Sequence, residues 1–195
     1  MTIATISYSG KTVVAEELTP EAFAKFGSVI SPRDQIAAEL PAKGAGNIFT
    51  QGDVVKPEGK YEQSKFNPES YCSFNLQRFM PPATIDRTAK HYDAMMIERH
   101  PMSSQTFFPM GVDKEEAAYL VLATENDAEG MPDLSKLKAF VARGNQSVTY
   151  NAAVWHGSTC SLRDYLDMTM FMYTNGVAAD ITEVVQISGG LPVDY

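Results

Sequence analysis

From Tyr71 to Ile187 the chain reads as a succession of short extended runs, each halted by turn-forming residues, and this punctuation leaves little length for helices. The runs are Tyr71 to Met80 before Pro81-Pro82, Met95 to His100, Gln105 to Met110, Ala117 to Ala123, Ala139 to Ala142, Ser147 to Trp155, Tyr165 to Tyr173 and Ile181 to Ile187. Asn175-Gly176, between the last two, is a tight-turn signal because both residues tolerate positive φ. Nearer the start, Val13-Val14 and Ser28 to Ser31 read as strands. Between them Thr19 to Gly27 predicts a brief helix, with Thr19 as N-cap, Pro20 at the first position, Gly27 as the stop and Phe23 and Phe26 on one apolar face. Many short strands with one or two short helices predict an all-β barrel or sandwich. At 195 residues and without an internal repeat, the expectation is a single domain over 1–195.

Residues 33 to 70 are rich in Gly, Pro, Lys and Glu with weak periodicity, which reads as a long surface excursion. Within it, Lys43-Gly-Ala-Gly-Asn47 has the composition of a loop that folds over a site.

Composition bounds the function. Apolar residues at 44% and charged residues at 21% are ordinary for a globular protein. The formal net charge of −8 repels polyanions, so nucleic acid and anionic membrane surfaces are not expected partners. A small anionic substrate requires local Arg or Lys side chains to overcome that field. Two cysteines, Cys72 and Cys160, make neither a disulfide framework nor a zinc motif. With no apolar stretch near the ~18 residues of a membrane span and no signal-peptide pattern at the start, the chain reads as cytoplasmic.

The chemistry concentrates in Glu98-Arg-His-Pro-Met-Ser-Ser-Gln105 and in Trp155-His156. Side chains two apart on a strand share a face, so Glu98 and His100 look the same way. A turn over Pro101 to Ser104 brings Gln105 back beside them. This is the spacing with which cupin-type barrels line their interior, usually as His-x-His-x4-Glu plus a later His, here altered to Glu98, His100 and Gln105 with His156. An imidazole in such an interior trades protons near neutral pH. Glu98 reads as a general base or the orienter of a His, and equally as a solvated charge at a strand end. Gln105 offers both donor and acceptor to an amide or urea group. Arg78, in an apolar run, suits a carboxylate bidentately and reads as readily as an edge-strand solubility charge. Arg99 is expected opposite to His100. His91 reads as structural. His100, His156 and Glu98 are acceptable ligands for a divalent first-row ion, with Gln105 a poor fourth, and two imidazoles alone do not require a metal. The chain carries no P-loop, Rossmann fingerprint, H-E-x-x-H or G-x-S-x-G.

The sequence resembles the ureidoglycolate lyase family, fungal members above all. The resemblance is carried by Glu98-Arg-His-Pro-Met-Ser-Ser-Gln-Thr-Phe-Phe-Pro-Met110, by Pro132-Asp-Leu-Ser-Lys-Leu-Lys-Ala-Phe140, and by Gly144-Asn-Gln-Ser-Val-Thr-Tyr150 leading into Val154-Trp155-His156. Leu18 to Ile30 and Asn75 to Arg78 extend it. One departure is Gly157, where bacterial members place a second His.

The resemblance implies a cupin-like double-stranded β-helix barrel, usually a homodimer, that splits (S)-ureidoglycolate into glyoxylate and urea. It also implies a divalent metal, nickel in particular. On that reading His100 and His156 share the acid and base roles with Glu98 tuning its neighbour. Arg78 clamps the carboxylate, and Gln105, Asn47, Tyr150 and Trp155 bind the rest of the substrate. Three alternatives stay open: a metal-dependent cupin enzyme of another reaction class, an amidohydrolase that frees ammonia, and a non-enzymatic small-molecule binding barrel.

Overall fold

Alternating and continuous apolar runs rich in Val, Ile, Tyr, Phe and Met fold here into strands, as such runs do when both pleated faces can be covered. The computed structural model describes residues 3–32, 42–43, 48–49 and 55–195. The fold is all-β and cupin-like, with short α-helices at Pro20–Phe23 and Ala178–Ile181. One antiparallel sheet runs, in spatial order, Gly27–Ile30, Ser147–Tyr150, Gln105–Met110, Leu166–Thr174 and Tyr71–Phe79. The larger sheet is built on Ala4–Ser7, Glu183–Asp194, His91–Arg99, Trp155–His156, Ala117–Thr124, Lys138–Arg143 and Glu16–Glu17 in that order.

The strand Ala117–Thr124 shows why the larger sheet reads as an unbroken apolar run. Tyr119 and Val121 enter a core between the two sheets, with Phe140, Phe107, Val148, Met168 and the helix residue Phe23. Leu120 and Leu122 face the other way, into a second core with Ile97, Trp155, Val185 and Leu134. Both faces are therefore buried. Each large side chain so enclosed contributes roughly 1.5–3 kcal/mol over its exposed form.

The first helix follows its capping signals. The Thr19 hydroxyl accepts the Ala22 N–H at 3.1 Å, and Pro20 opens the first turn. It ends earlier than the sequence suggests, because Gly27 already belongs to a strand. A Cβ there would collide with the Thr149 carbonyl of the neighbouring strand, so the close approach requires glycine.

Three crossovers between the sheets matter for function. His91–Arg99 lies in the larger sheet and Gln105–Met110 in the smaller. The run expected as one strand from Ser147 to Trp155 is two: Ser147–Tyr150 in the smaller sheet and Trp155–His156 in the larger. Ala153, at φ 66°, breaks it. Asn175-Gly176, with Gly176 at φ 77°, leads from Leu166–Thr174 into the helix Ala178–Ile181 rather than into a two-residue hairpin. Glu183–Asp194 then joins the larger sheet.

Candidate active site

The crossovers bring together residues far apart along the chain. The Ala153 N–H donates to the His100 carbonyl at 2.9 Å, which ties the first crossover to the second. Glu98 pairs in register with His156 across the sheet. The imidazole rings of His100 and His156 lie 5.4 Å apart, centroid to centroid. One ligand atom from each of Glu98, His100 and His156 falls within 4.8 Å of the others. Together with Gln77, Phe79, Gln105, Phe107, Ser158, Met170 and Met172 these residues line a cavity of about 310 Å³ between the sheets.

Hydrogen bonding sets the tautomer of both imidazoles. His100 Nδ1 lies 2.7 Å from the Ile181 carbonyl oxygen, and His156 Nδ1 lies 2.9 Å from that of Val154. A carbonyl only accepts, so each Nδ1 carries the proton and each Nε2 presents a lone pair. Both Nε2 atoms are buried without a partner among the described residues, as is Gln105 Oε1. Burial pushes the His156 pKa down to about 3, with the neighbouring His100 acting in the same direction and the Val154 carbonyl partly opposing. His156 is therefore a neutral acceptor at physiological pH, not a proton donor.

Arg78, Trp155 and Tyr150, also singled out in the sequence, lie elsewhere. Arg78 is 59% exposed on the outer face of Tyr71–Phe79, where its guanidinium grips Asp167 with two bonds of 2.7 Å and covers the Tyr165 ring. The alternation that turns Gln77 and Phe79 inward turns Arg78 out, which corrects its assignment as a carboxylate clamp. Trp155 neighbours His156 and so faces the opposite side of the sheet. It sits in the second core, with its N–H donating to the Gly130 carbonyl at 3.2 Å and Arg99 over its ring at 4.6 Å. Tyr150 lies behind the cavity and stacks on His156 at 4.0 Å and 14°. Burial raises the pKa of its phenol well above the usual value. Neither aromatic lines the cavity. Asn47 lies outside the described residues.

Sequence reasoning missed Gln77, Ser158 and Thr159. The first was legible as the inward partner of Phe79, and the others follow His156 directly. At Gly157 a Cβ would come within 3.1 Å of the Leu122 Cβ, so a side chain there requires Leu122 to give by a few tenths of an ångström. The lining contains no Arg or Lys among the described residues.

Comparison with known proteins decides the family. Residues 10–190 match the profile described as ureidoglycolate lyase. The chain belongs to the ureidoglycolate lyase family. Relatives named ureidoglycolate lyase include one from Schizosaccharomyces pombe, 33% identical over 89% of this chain and 91% of its own. A second, from Saccharomyces cerevisiae, is 34% identical over 83% and 86%. A bacterial one, from Brucella anthropi, is 33% identical over 80% of each.

Proposed function

We propose that this protein is a ureidoglycolate lyase that cleaves (S)-ureidoglycolate to glyoxylate and urea in allantoin and purine catabolism. The observation that carries the reading is the convergence of Glu98, His100, His156 and Gln105 on one cavity in a chain of this family. The substrate carbon bears a hydroxyl, a carboxylate, a hydrogen and a ureido nitrogen. As the hydroxyl loses its proton, its bonding pair forms the new C=O, and the C–N pair leaves with nitrogen. That nitrogen takes up one proton, so no water is consumed. His100 accepts the hydroxyl proton at Nε2 and returns it to the departing nitrogen, while the Glu98 carboxylate stabilises the transient imidazolium. His156, held neutral, accepts a hydrogen bond from the substrate. Gln105 Oε1 accepts a ureido N–H. Phe79, Phe107, Met170 and Met172 keep water from the reacting centre.

The same residues fit a divalent first-row cation. Two neutral imidazoles with Nδ1–H on backbone carbonyls and one carboxylate form a ligand set with its orienting bonds in place. Glu98, His100 and His156 would hold the ion, nickel being the identity that resemblance implies. Bound there, it would supply the positive charge for the substrate's carboxylate that the lining side chains lack. Ligation and imidazole proton transfer compete for the same lone pairs, and removal of metal separates them. Because His100 acts as base only with its Nε2 free, turnover is expected to survive dialysis against a chelator; a loss restored by added Ni²⁺ or Mn²⁺ would assign these lone pairs to the cation instead. Full activity in protein shown metal-free by elemental analysis would overturn the cation.

The reaction itself is tested by incubating the protein with ureidoglycolate and following products. Equal amounts of glyoxylate and urea are expected. Ammonium in place of urea indicates the amidohydrolase, and binding without turnover the non-enzymatic barrel. A cytoplasmic homodimer belongs to the same proposal. Cys72 and Cys160 are both free thiols, in keeping with a reducing compartment. The edge strand Tyr71–Phe79 exposes Phe74 and Leu76 at 67% and 71%, an apolar face that a second copy would cover. Light scattering should then give twice 21.4 kDa, and the mass of one chain would refute pairing.

A further inference from the structure

The third crossover reaches His100 through a backbone carbonyl, and that carbonyl is held in place by a buried acid. Asp180, 6% exposed, lies in the four-residue helix Ala178–Ile181. Its Oδ2 accepts from Ser64 Oγ at 2.6 Å and from Asn175 Nδ2 at 2.7 Å. Ser64 Oγ also accepts the backbone N–H groups of Phe66 and Asn67, at 3.0 and 2.9 Å. Asn67 and Asn175 exchange side-chain amide to carbonyl bonds of 3.3 and 2.8 Å. Among the described residues the acid has no salt bridge, so neutral donors alone offset its desolvation. Burying a carboxylate this way is costly and places strong demands on geometry.

One residue further, the Ile181 carbonyl accepts the His100 Nδ1–H, and Thr182 Oγ1 lies 3.3 Å from the same nitrogen. The two imidazoles differ in how they are oriented. His156 bonds to Val154, two residues away on its own segment. His100 bonds to an element 81 residues distant. A single helical turn has no stability of its own, so its position must be imposed from outside. Asp180 imposes it, by pinning the turn to the Ser64–Asn67 segment on one side and to Asn175 on the other.

We infer that Asp180 is a positioning residue: by fixing the Ile181 carbonyl it sets the tautomer and ring plane of His100, and so the aim of its Nε2 lone pair into the cavity. The kinetic part rests on the lyase reading; the orientation of the ring does not.

The test uses the full chain with ¹⁵N-labelled histidine, freed of metal by chelation. In the unsubstituted protein, long-range ¹H–¹⁵N correlations are expected to report the Nδ1–H tautomer at both His100 and His156. In Asp180→Ala, His100 should become a mixture of tautomers while His156 keeps its pattern. Asp180→Asn should rescue, because both bonds go to one oxygen that an amide oxygen can replace. In parallel, kcat for urea release should fall about 10–100-fold in Asp180→Ala, with KM little changed, and recover in Asp180→Asn. If Asp180→Ala fails to fold, Ser64→Ala and Asn175→Ala each remove one bond and should produce a partial tautomer shift. A folded Asp180→Ala protein, or the Ser64 and Asn175 variants, with an unchanged His100 pattern would overturn the inference. A shifted pattern in a protein that never turns over ureidoglycolate would leave positioning intact and refute the lyase reading instead.

Discussion

Replacing His156 or His100 by alanine is expected to lower urea release from ureidoglycolate by at least about a hundredfold in either case. Each ring presents a buried, unpartnered Nε2 to the cavity, fixed by an Nδ1–H bond to a carbonyl. As proton acceptor at His100, hydrogen-bond acceptor at His156 or metal ligand at either, that lone pair cannot be supplied by alanine, and no other imidazole is near; His91 is bonded to Asp194 in the 183–194 strand. His156 also stacks on Tyr150, so its removal leaves a void in a packed region, and His156→Gln is the gentler companion variant. The measurement is steady-state urea production with circular dichroism to show that the strands persist. Elemental analysis of the same variants separates roles: loss of a stoichiometric metal identifies a ligand, and unchanged metal content with lost turnover identifies proton transfer at His100 and hydrogen-bond acceptance at His156. Arg78→Ala is the control. Its guanidinium is spent on Asp167 at the outer surface, so turnover should stay within a factor of two or so of the parent. Near-normal urea release by a folded His100→Ala or His156→Ala protein would refute the role of that residue.

The contrast between Glu98–Gln105 and Arg78 explains what the sequence could and could not reveal. Glu98, His100 and Gln105 are brought together by strand alternation and one local turn, both of which are written in nearest neighbours. The same alternation separates Trp155 from His156, but no single-residue property says which of two adjacent side chains meets the cavity. For Arg78 the pattern left two readings open, and the edge-strand one holds: Phe74 and Leu76, apolar residues of the same run, are exposed on the outer face with it. The break at Ala153 carries no glycine or proline to announce it, so one expected strand proved to be two in different sheets. That break nevertheless does the decisive positioning: it carries the chain from Tyr150, behind the site, to His156 within it. The Ile181 carbonyl was beyond reach altogether, since a backbone acceptor 81 residues from its donor leaves no trace in side-chain identity.

Acid is expected to destabilise this protein in part through His156, and the sign follows from its burial. The folded-state pKa is pushed from 6.5 to about 3, so the folded chain resists the proton that the unfolded chain accepts. Stability from this residue is fully present above the unfolded value and is lost as pH falls from about 6.5 toward 3. The slope is roughly 1 kcal/mol or slightly more per pH unit, so the whole window removes roughly 4 to 5 kcal/mol, against a total of about 5–15 kcal/mol for a typical domain. His91 acts in the opposite sense: its bond to Asp194 raises its pKa, so what it contributes is present at low pH and lost as pH rises through the folded value. Being at the surface, it is screened and cannot offset the buried ring. Urea denaturation of chelator-treated protein at pH 7.5, 6, 5 and 4 measures the slope. A His156→Gln variant, with nothing to protonate at that position, isolates the residue from the carboxylates that also titrate in this range. The variant should show a flatter decline below pH 6 than the parent. Parallel declines in the two proteins would mean that His156 takes up its proton in the folded state, and the neutral acceptor assigned to it in the cavity would go with that result.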